Sequence, residues 1–166
     1  MSRSRPAAPR RRQVLTTIAA VLALAVLAVL GYRLRPLLSG SPEAAQQVLP
    51  VPDCDLHAGP CQVALPDGGR LRFEITPHSI PLLKPLQLQV TVDGPTPVRA
   101  VEVDFAGVGM FMGYNRPRLE PAGAGRFTGE AVLPVCSWAR MPWEARVLLH
   151  RPDGLLVVPF RFETRR

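Results

Sequence analysis

Val14–Tyr32 reads VLTTIAAVLALAVLAVLGY, nineteen residues without a charged side chain. No other stretch constrains the fold so strongly. A helix rises about 1.5 Å per residue, so the run reaches nearly 30 Å, roughly the hydrocarbon thickness of a bilayer. Ahead of it stand Arg3, Arg5, Arg10, Arg11 and Arg12, with no acidic residue among them. Basic flanks stay on the cytoplasmic side of a membrane. The expectation is a basic cytoplasmic tail over 1–13, a transmembrane anchor over 14–32, and a remainder facing outward. A cleaved signal peptide is the competing reading. Its apolar core would be shorter, and a small-x-small site would follow it. Here Ala23-Leu24-Ala25 lies inside the run, and Gly31-Tyr32-Arg33-Leu34-Arg35 comes after it. The sequence therefore predicts a retained single-pass anchor in the cytoplasmic (inner) membrane, with the C-terminal part in the periplasm.

The charge balance follows from this layout. The formal net charge is +7, and the five arginines of the tail supply most of it. The rest holds 15 Lys/Arg against 13 Asp/Glu, a balance of +2. No basic helix and no aromatic-basic interleaving occurs there, so nucleic acid is not an expected partner. Residues 33–60 hold Pro36, Gly40, Pro42, Pro50 and Pro52 and read as a linker with a cysteine-containing segment. Residues 61–166 are enough for one domain with its own core.

In that domain, short alternating runs succeed one another. They are Gln62–Leu65, Leu71–Ile75, Leu86–Val92, Val101–Phe105, Arg126–Leu133, Trp143–His150 and Leu155–Phe162. Turn-forming clusters such as Pro66-Asp67-Gly68-Gly69 and Arg151-Pro152-Asp153-Gly154 separate them. About seven short strands at this spacing predict an all-β fold, an immunoglobulin-like antiparallel β-sandwich, with a small barrel as the alternative. Trp138 and Trp143 are expected to pack in the core or at its rim.

Sulfur is sparse and unevenly placed. The cysteines are Cys54, Cys61 and Cys136, all beyond the anchor, where disulfides persist. Cys54 and Cys61 are the candidate disulfide, a staple at the start of the domain; a redox-cycling dithiol, with His57 as a further ligand, is the alternative. Past the initiator the methionines are Met110, Met112 and Met141. In an extended Gly107–Asn115 segment, Met110 and Met112 point one way and Phe111 the other. Thioethers and a thiolate select Cu(I) over harder ions, so Met110, Met112, Cys136 and Met141 form a candidate metal site. Methionine as a plain core filler is the competing explanation. Tyr114, Asn115, Arg116 and Arg118 form a candidate partner-docking loop. No G-x-S-x-G, H-E-x-x-H or phosphate-cradling glycine loop is present, and no enzyme is expected.

A basic tail, one span and a β domain with Gly109-Met110-Phe111-Met112-Gly113 resemble the FixH-like and YtkA-like families of membrane-anchored periplasmic proteins. The later Gly125-Arg126-Phe127-Thr128-Gly129 run, continuing to Glu130, matches their glycine-x-aromatic-x-glycine strand. The chain departs from the pattern in two places. It has no histidine beside the methionines, and it adds Cys136. The resemblance implies an accessory role in copper handling and haem-copper oxidase assembly, with Cu(I) as cargo and a copper chaperone or membrane protein complex as partner. A metal-free structural module and a thiol-disulfide redox protein are the alternatives.

Overall fold

The computed structural model describes residues 9–38 and 46–166, with side chains for 13–30 and 46–166. The chain divides into two compact units, Met1–Glu43 and Ala44–Arg166. Arg3 and Arg5 lie outside the described residues.

The first unit is one helix, α1, Pro9–Leu38. Proline suits a helix start, where its missing N–H has no partner to lose. The window Gln13–Leu30 has a mean hydropathy of 2.5 and is long and apolar enough to cross a membrane. Its two hydroxyls are turned inward onto the helix backbone. Thr16 Oγ1 donates to the Gln13 carbonyl at 2.8 Å, and Thr17 Oγ1 to the Val14 carbonyl at 2.9 Å. Such back-bonding satisfies a hydroxyl where no water is at hand. The helix is longer at both ends than the apolar run. It continues past Tyr32 and through Pro36, where the sequence reading places the start of a linker.

Strands are the regular secondary structure of the second unit's described residues. In chain order the unit holds β1 (Gln46–Val48), β2 (Cys61–Ala64), β3 (Arg70–Thr76), β4 (Pro85–Asp93) and β5 (Ala100–Gly107). Then follow β6 (Arg118–Pro121), β7 (Arg126–Val132), β8 (Arg140–Arg151) and β9 (Gly154–Arg165). The sheet order is β1-β9-β8-β5-β6-β7-β4-β3-β2. Alternation builds it. In β3 the residues Leu71, Phe73 and Ile75 are buried and their neighbours are not; Val101, Val103 and Phe105 do the same in β5. One face of each strand is therefore apolar and must be covered. The sheet curls until its distant strands meet. Phe73 of β3 lies 5.2 Å from Phe160 of β9, centroid to centroid, and all these residues join one core.

Two features of this sheet escape a strand count made from alternation. Among the described residues there are nine strands, not about seven, and not all pairs are antiparallel. β1 is three residues long and pairs parallel to β9, with Gln47 opposite Leu156. β6 is four residues long and belongs to both halves of the curl. Leu119 pairs with Val101 of β5, and Glu120 pairs with Thr128 of β7. Runs this short carry too few residues for a period-two pattern to register.

The expected linker over 33–60 is also shorter than it reads. Residues 46–60 fold onto the domain. Leu56 is fully buried, Leu49 and Cys54 pack on the core, and the Leu49 N–H bonds to the Val157 carbonyl at 2.9 Å. The Cys54–Cys61 disulfide is formed and closes a separation of seven residues. In the chain-entropy account a loop of this size contributes about 2.5 kcal/mol. The same segment is clasped by His57. Its ring nitrogens lie 2.7 Å from the His78 carbonyl oxygen and 2.8 Å from that of Glu163. His57 is thus a brace between the disulfide loop, the 77–80 turn and β9, with neither nitrogen free for a metal.

Candidate metal centre

The sulfur residues come from three separate stretches, and strand register brings them to one end of the domain. β5 runs Val101, Val103, Phe105 with their side chains inward, and Gly107 is the next inward position. β8 is aligned so that Gly107 faces Trp143, and the Val108 N–H bonds to the Pro142 carbonyl at 2.9 Å. Met141 therefore sits beside Gly107 on the inner face, 1 % exposed.

Gly107 has no side chain to fill its place in the core. Other atoms fill it. A Cβ built there would stand 2.5 Å from Met141 Cε, 2.8 Å from Met112 Cγ and 2.5 Å from the Met110 carbonyl oxygen. The side chains of Met112 and Met141 and the backbone of Met110 thus meet at one glycine. Met110 and Met112 are half-buried and pack against the core, while Phe111 between them is 89 % exposed. The alternation expected of an extended segment holds, although the segment forms no ladder of its own. Met110 and Met112 line an open depression of about 350 Å³, together with Phe105 and Arg146.

Cys136 completes the group. It is a free thiol, 5 % exposed, in the connection between β7 and β8. Its Sγ donates to Met110 Sδ at 3.4 Å, and it accepts the Trp138 backbone N–H at 3.4 Å. Since Cys54 and Cys61 hold each other, the third thiol keeps its proton-bearing sulfur available.

Polar groups at the edge of the depression are neutralised among themselves. Arg146 lies 2.8 Å from Glu144 and 3.6 Å from Asp104, and Arg161 lies 3.2 Å from Glu144. Burial pushes the Glu144 carboxyl up, but the hydrogen bonds from Arg146 and Arg161 outweigh it and hold it below the usual carboxylate range. Met110 and Met112 supply the sulfur in the lining of the depression, beside the Asp104 carboxylate and the Tyr114 hydroxyl.

The candidate docking loop divides in two. Asn115 and Arg116 are braces rather than free contacts. Asn115 Nδ2 donates to the Val132 carbonyl at 2.9 Å, and the Phe105 N–H donates to the Asn115 carbonyl at 2.9 Å. Arg116 Nε donates to Glu102 at 2.6 Å. Burial raises the Glu102 carboxyl, yet Arg116 and His150 more than offset this and leave it below its ordinary value. A loop this long needs internal partners for its backbone and its charges, which is why these side chains turn inward. Arg118 is exposed at the start of β6, and Tyr114 is 82 % exposed.

Gly107 is the residue to which sequence reasoning gave no place in the site. It is a signal only once its register opposite Trp143 is known. Replacing Gly107 with alanine is expected to push the Met110–Met112 segment outward, since one of the atoms in the way is backbone. The overpacking cost is about 1–3 kcal/mol, read as a lowered Tm. An unchanged Tm would mean that the segment moves freely.

The chain matches no known protein-family model and no curated protein. The donor atoms of the cluster are one thiol and three thioethers, which are soft ligands.

Proposed function

We propose that the chain is a membrane-tethered accessory protein, held by α1 in the cytoplasmic membrane with its β domain in the periplasm. We read the β domain as an immunoglobulin-like sandwich and its sulfur cluster as a Cu(I) site that takes up the ion and passes it on. The observation that carries this reading is Cys136 Sγ 3.4 Å from Met110 Sδ, with the side chains of Met112 and Met141 meeting over Gly107 beside the Met110 backbone. With metal–sulfur bonds of about 2.3 Å, two sulfurs on one ion stand roughly 3.7–4.0 Å apart. The Cys136–Met110 pair needs to open by only a few tenths of an ångström.

The chemistry is ligand exchange, with no catalytic step. Cys136 loses its proton on binding and supplies the one anionic donor. The thioethers add neutral, exchangeable donors. Met110 and Met112 border the open depression, so an incoming ligand reaches the ion from their side. The resemblance to the FixH-like and YtkA-like families supports copper delivery or oxidase assembly as the setting.

The test is a competition titration of the full-length chain with a chromophoric Cu(I) chelator, alongside a Met110→Leu/Met112→Leu variant. Leucine keeps the volume and removes the donor, so folding is preserved. The expected result is a loss of affinity of about a hundredfold, near 2.7 kcal/mol. Unchanged affinity in a folded variant overturns the site. A metal-free docking module is the second reading, favoured by the exposure of Phe111 and Tyr114; it predicts no Cu(I) uptake by either chain.

A further inference from the structure

Residues 46–60 form a strap that meets β9 at two places. At the first, Gln46 stands opposite Leu155 in the β1 ladder, and the Leu49 N–H bonds to the Val157 carbonyl. Pro50 and Pro52 then remove two backbone donors. Among the described residues no backbone hydrogen bond joins 50–57 to β9. The second tie is made by a side chain, His57 Nε2, 2.8 Å from the Glu163 carbonyl oxygen. Val157 and Glu163 are an even number of residues apart, so both carbonyls point to the same edge of β9.

The other ring nitrogen, Nδ1, lies 2.7 Å from the His78 carbonyl oxygen. Both partners of the ring are thus carbonyl oxygens, which only accept. A neutral imidazole has one N–H and one lone pair, so one of the two contacts would set lone pair against lone pair. The imidazolium carries an N–H on both nitrogens and satisfies both oxygens. The charges packed around the ring do not oppose this. On its own loop, Asp55 Oδ1 accepts the His57 backbone N–H at 2.9 Å. On β9, Glu163 and Arg165 pair with each other at 3.4 Å. On β3, Glu74 faces His78 of the 77–80 turn at 3.3 Å and Arg72 at 3.8 Å. Phe162 presents an uncharged ring, 6.4 Å away and edge-on.

We infer that His57 is a proton-dependent latch, clasping the strap to β9 and to the 77–80 turn as an imidazolium. Two donors exist only on the protonated ring. The clasp is therefore complete at low pH and gives up one of its two bonds as rising pH removes the second ring proton. Release is local, because the buried Leu56 and the Cys54–Cys61 disulfide still hold the strap to the domain. What it bares is backbone on the edge of β9, the kind of group that pairs with another strand. The inference is independent of the copper reading.

The test is amide hydrogen exchange of the full-length chain in detergent, resolved by mass spectrometry to peptides covering 46–60. It is run at about pH 5 and about pH 9, on either side of the range where imidazoles change charge. Exchange times are scaled for the intrinsic pH dependence of the reaction. Protection of 46–60 is expected to be about tenfold lower at the higher pH, the worth of one charge-assisted hydrogen bond. Peptides covering 70–93 are expected to change less. A His57→Gln chain is expected to show the same protection of 46–60 at both pH values. Should that chain fail to fold, the native one decides through nitrogen-15 spectra of its labelled histidines. The His57 ring is expected to lose its second N–H over the same pH interval in which 46–60 loses protection. Equal protection of the native strap at both pH values overturns the latch. So does pH dependence that persists in His57→Gln, which assigns it to His78 or another group, or a ring proton lost with no change in protection.

Discussion

A Cys136→Ser chain is expected to lose Cu(I) affinity by about a thousandfold, close to 4 kcal/mol, while its β domain stays folded. The reason is the donor set. The three thioethers are neutral, and in the proposed site Cys136, in contact with Met110, would supply the charge that balances the ion. A serine hydroxyl is a hard donor and does not ionise to replace it. The substitution is nearly isosteric, and the Trp138 N–H that Cys136 accepts would find the serine oxygen in the same place. The result is therefore separable from unfolding. Affinity is read by chelator competition and folding by far-ultraviolet circular dichroism. If the serine chain binds as tightly as the native one, Cys136 is a buried thiol and the cluster is packing. Metal uptake should also release about one proton per ion in the native chain and none in the serine chain, measurable in weakly buffered solution.

Trp143→Ala is expected to be the most damaging single substitution for the fold. Trp143 has no exposed surface and stands opposite Gly107 and Phe162 in the ladder, at the junction of the core and the sulfur cluster. Its indole Nε1 donates to Thr164 Oγ1 at 2.9 Å, and Thr164 is the one buried polar residue among those described. Truncation removes a large ring, opens a cavity and strands that hydroxyl. The cost is about 3–5 kcal/mol, a large share of a typical domain stability of roughly 5–15 kcal/mol. The expected reading is a fall in Tm of at least about 10 °C. Trp143→Phe tests the two parts separately. It keeps most of the ring and leaves Thr164 unpartnered, for about 1–3 kcal/mol. If Trp143→Ala melts within a few degrees of the native chain, the core does not depend on this ring.

The alternation in Leu71–Ile75, Leu86–Val92 and Val101–Phe105 made most of the strands legible. Period-two burial is a local property, and each strand states its own inner face. The disulfide was legible too, since Cys54 and Cys61 lie close in the chain. β1 and β6 were not, because three and four residues show almost no period, and the partner of β1 lies more than a hundred residues along the sequence. The tryptophans looked alike in sequence and differ in fact: Trp143 is core, and Trp138 is largely at the surface. Asn115 and Arg116 looked like contacts for a partner and turned out to hold the loop. Composition cannot tell a charge that faces solvent from one that faces Glu102.

The sequence by itself determined a helix apolar enough to cross a membrane and a β-rich domain beyond it, because both follow from hydrophobic patterns a few residues long. It also supplied the four sulfurs. Only the tertiary structure decided which of their side chains come together. Met112 and Met141 meet because β5 and β8 align Gly107 with Trp143 and the glycine leaves a space beside the Met110 backbone, and Cys136 meets Met110. That meeting depends on strand register across more than thirty residues of chain, which no local pattern encodes.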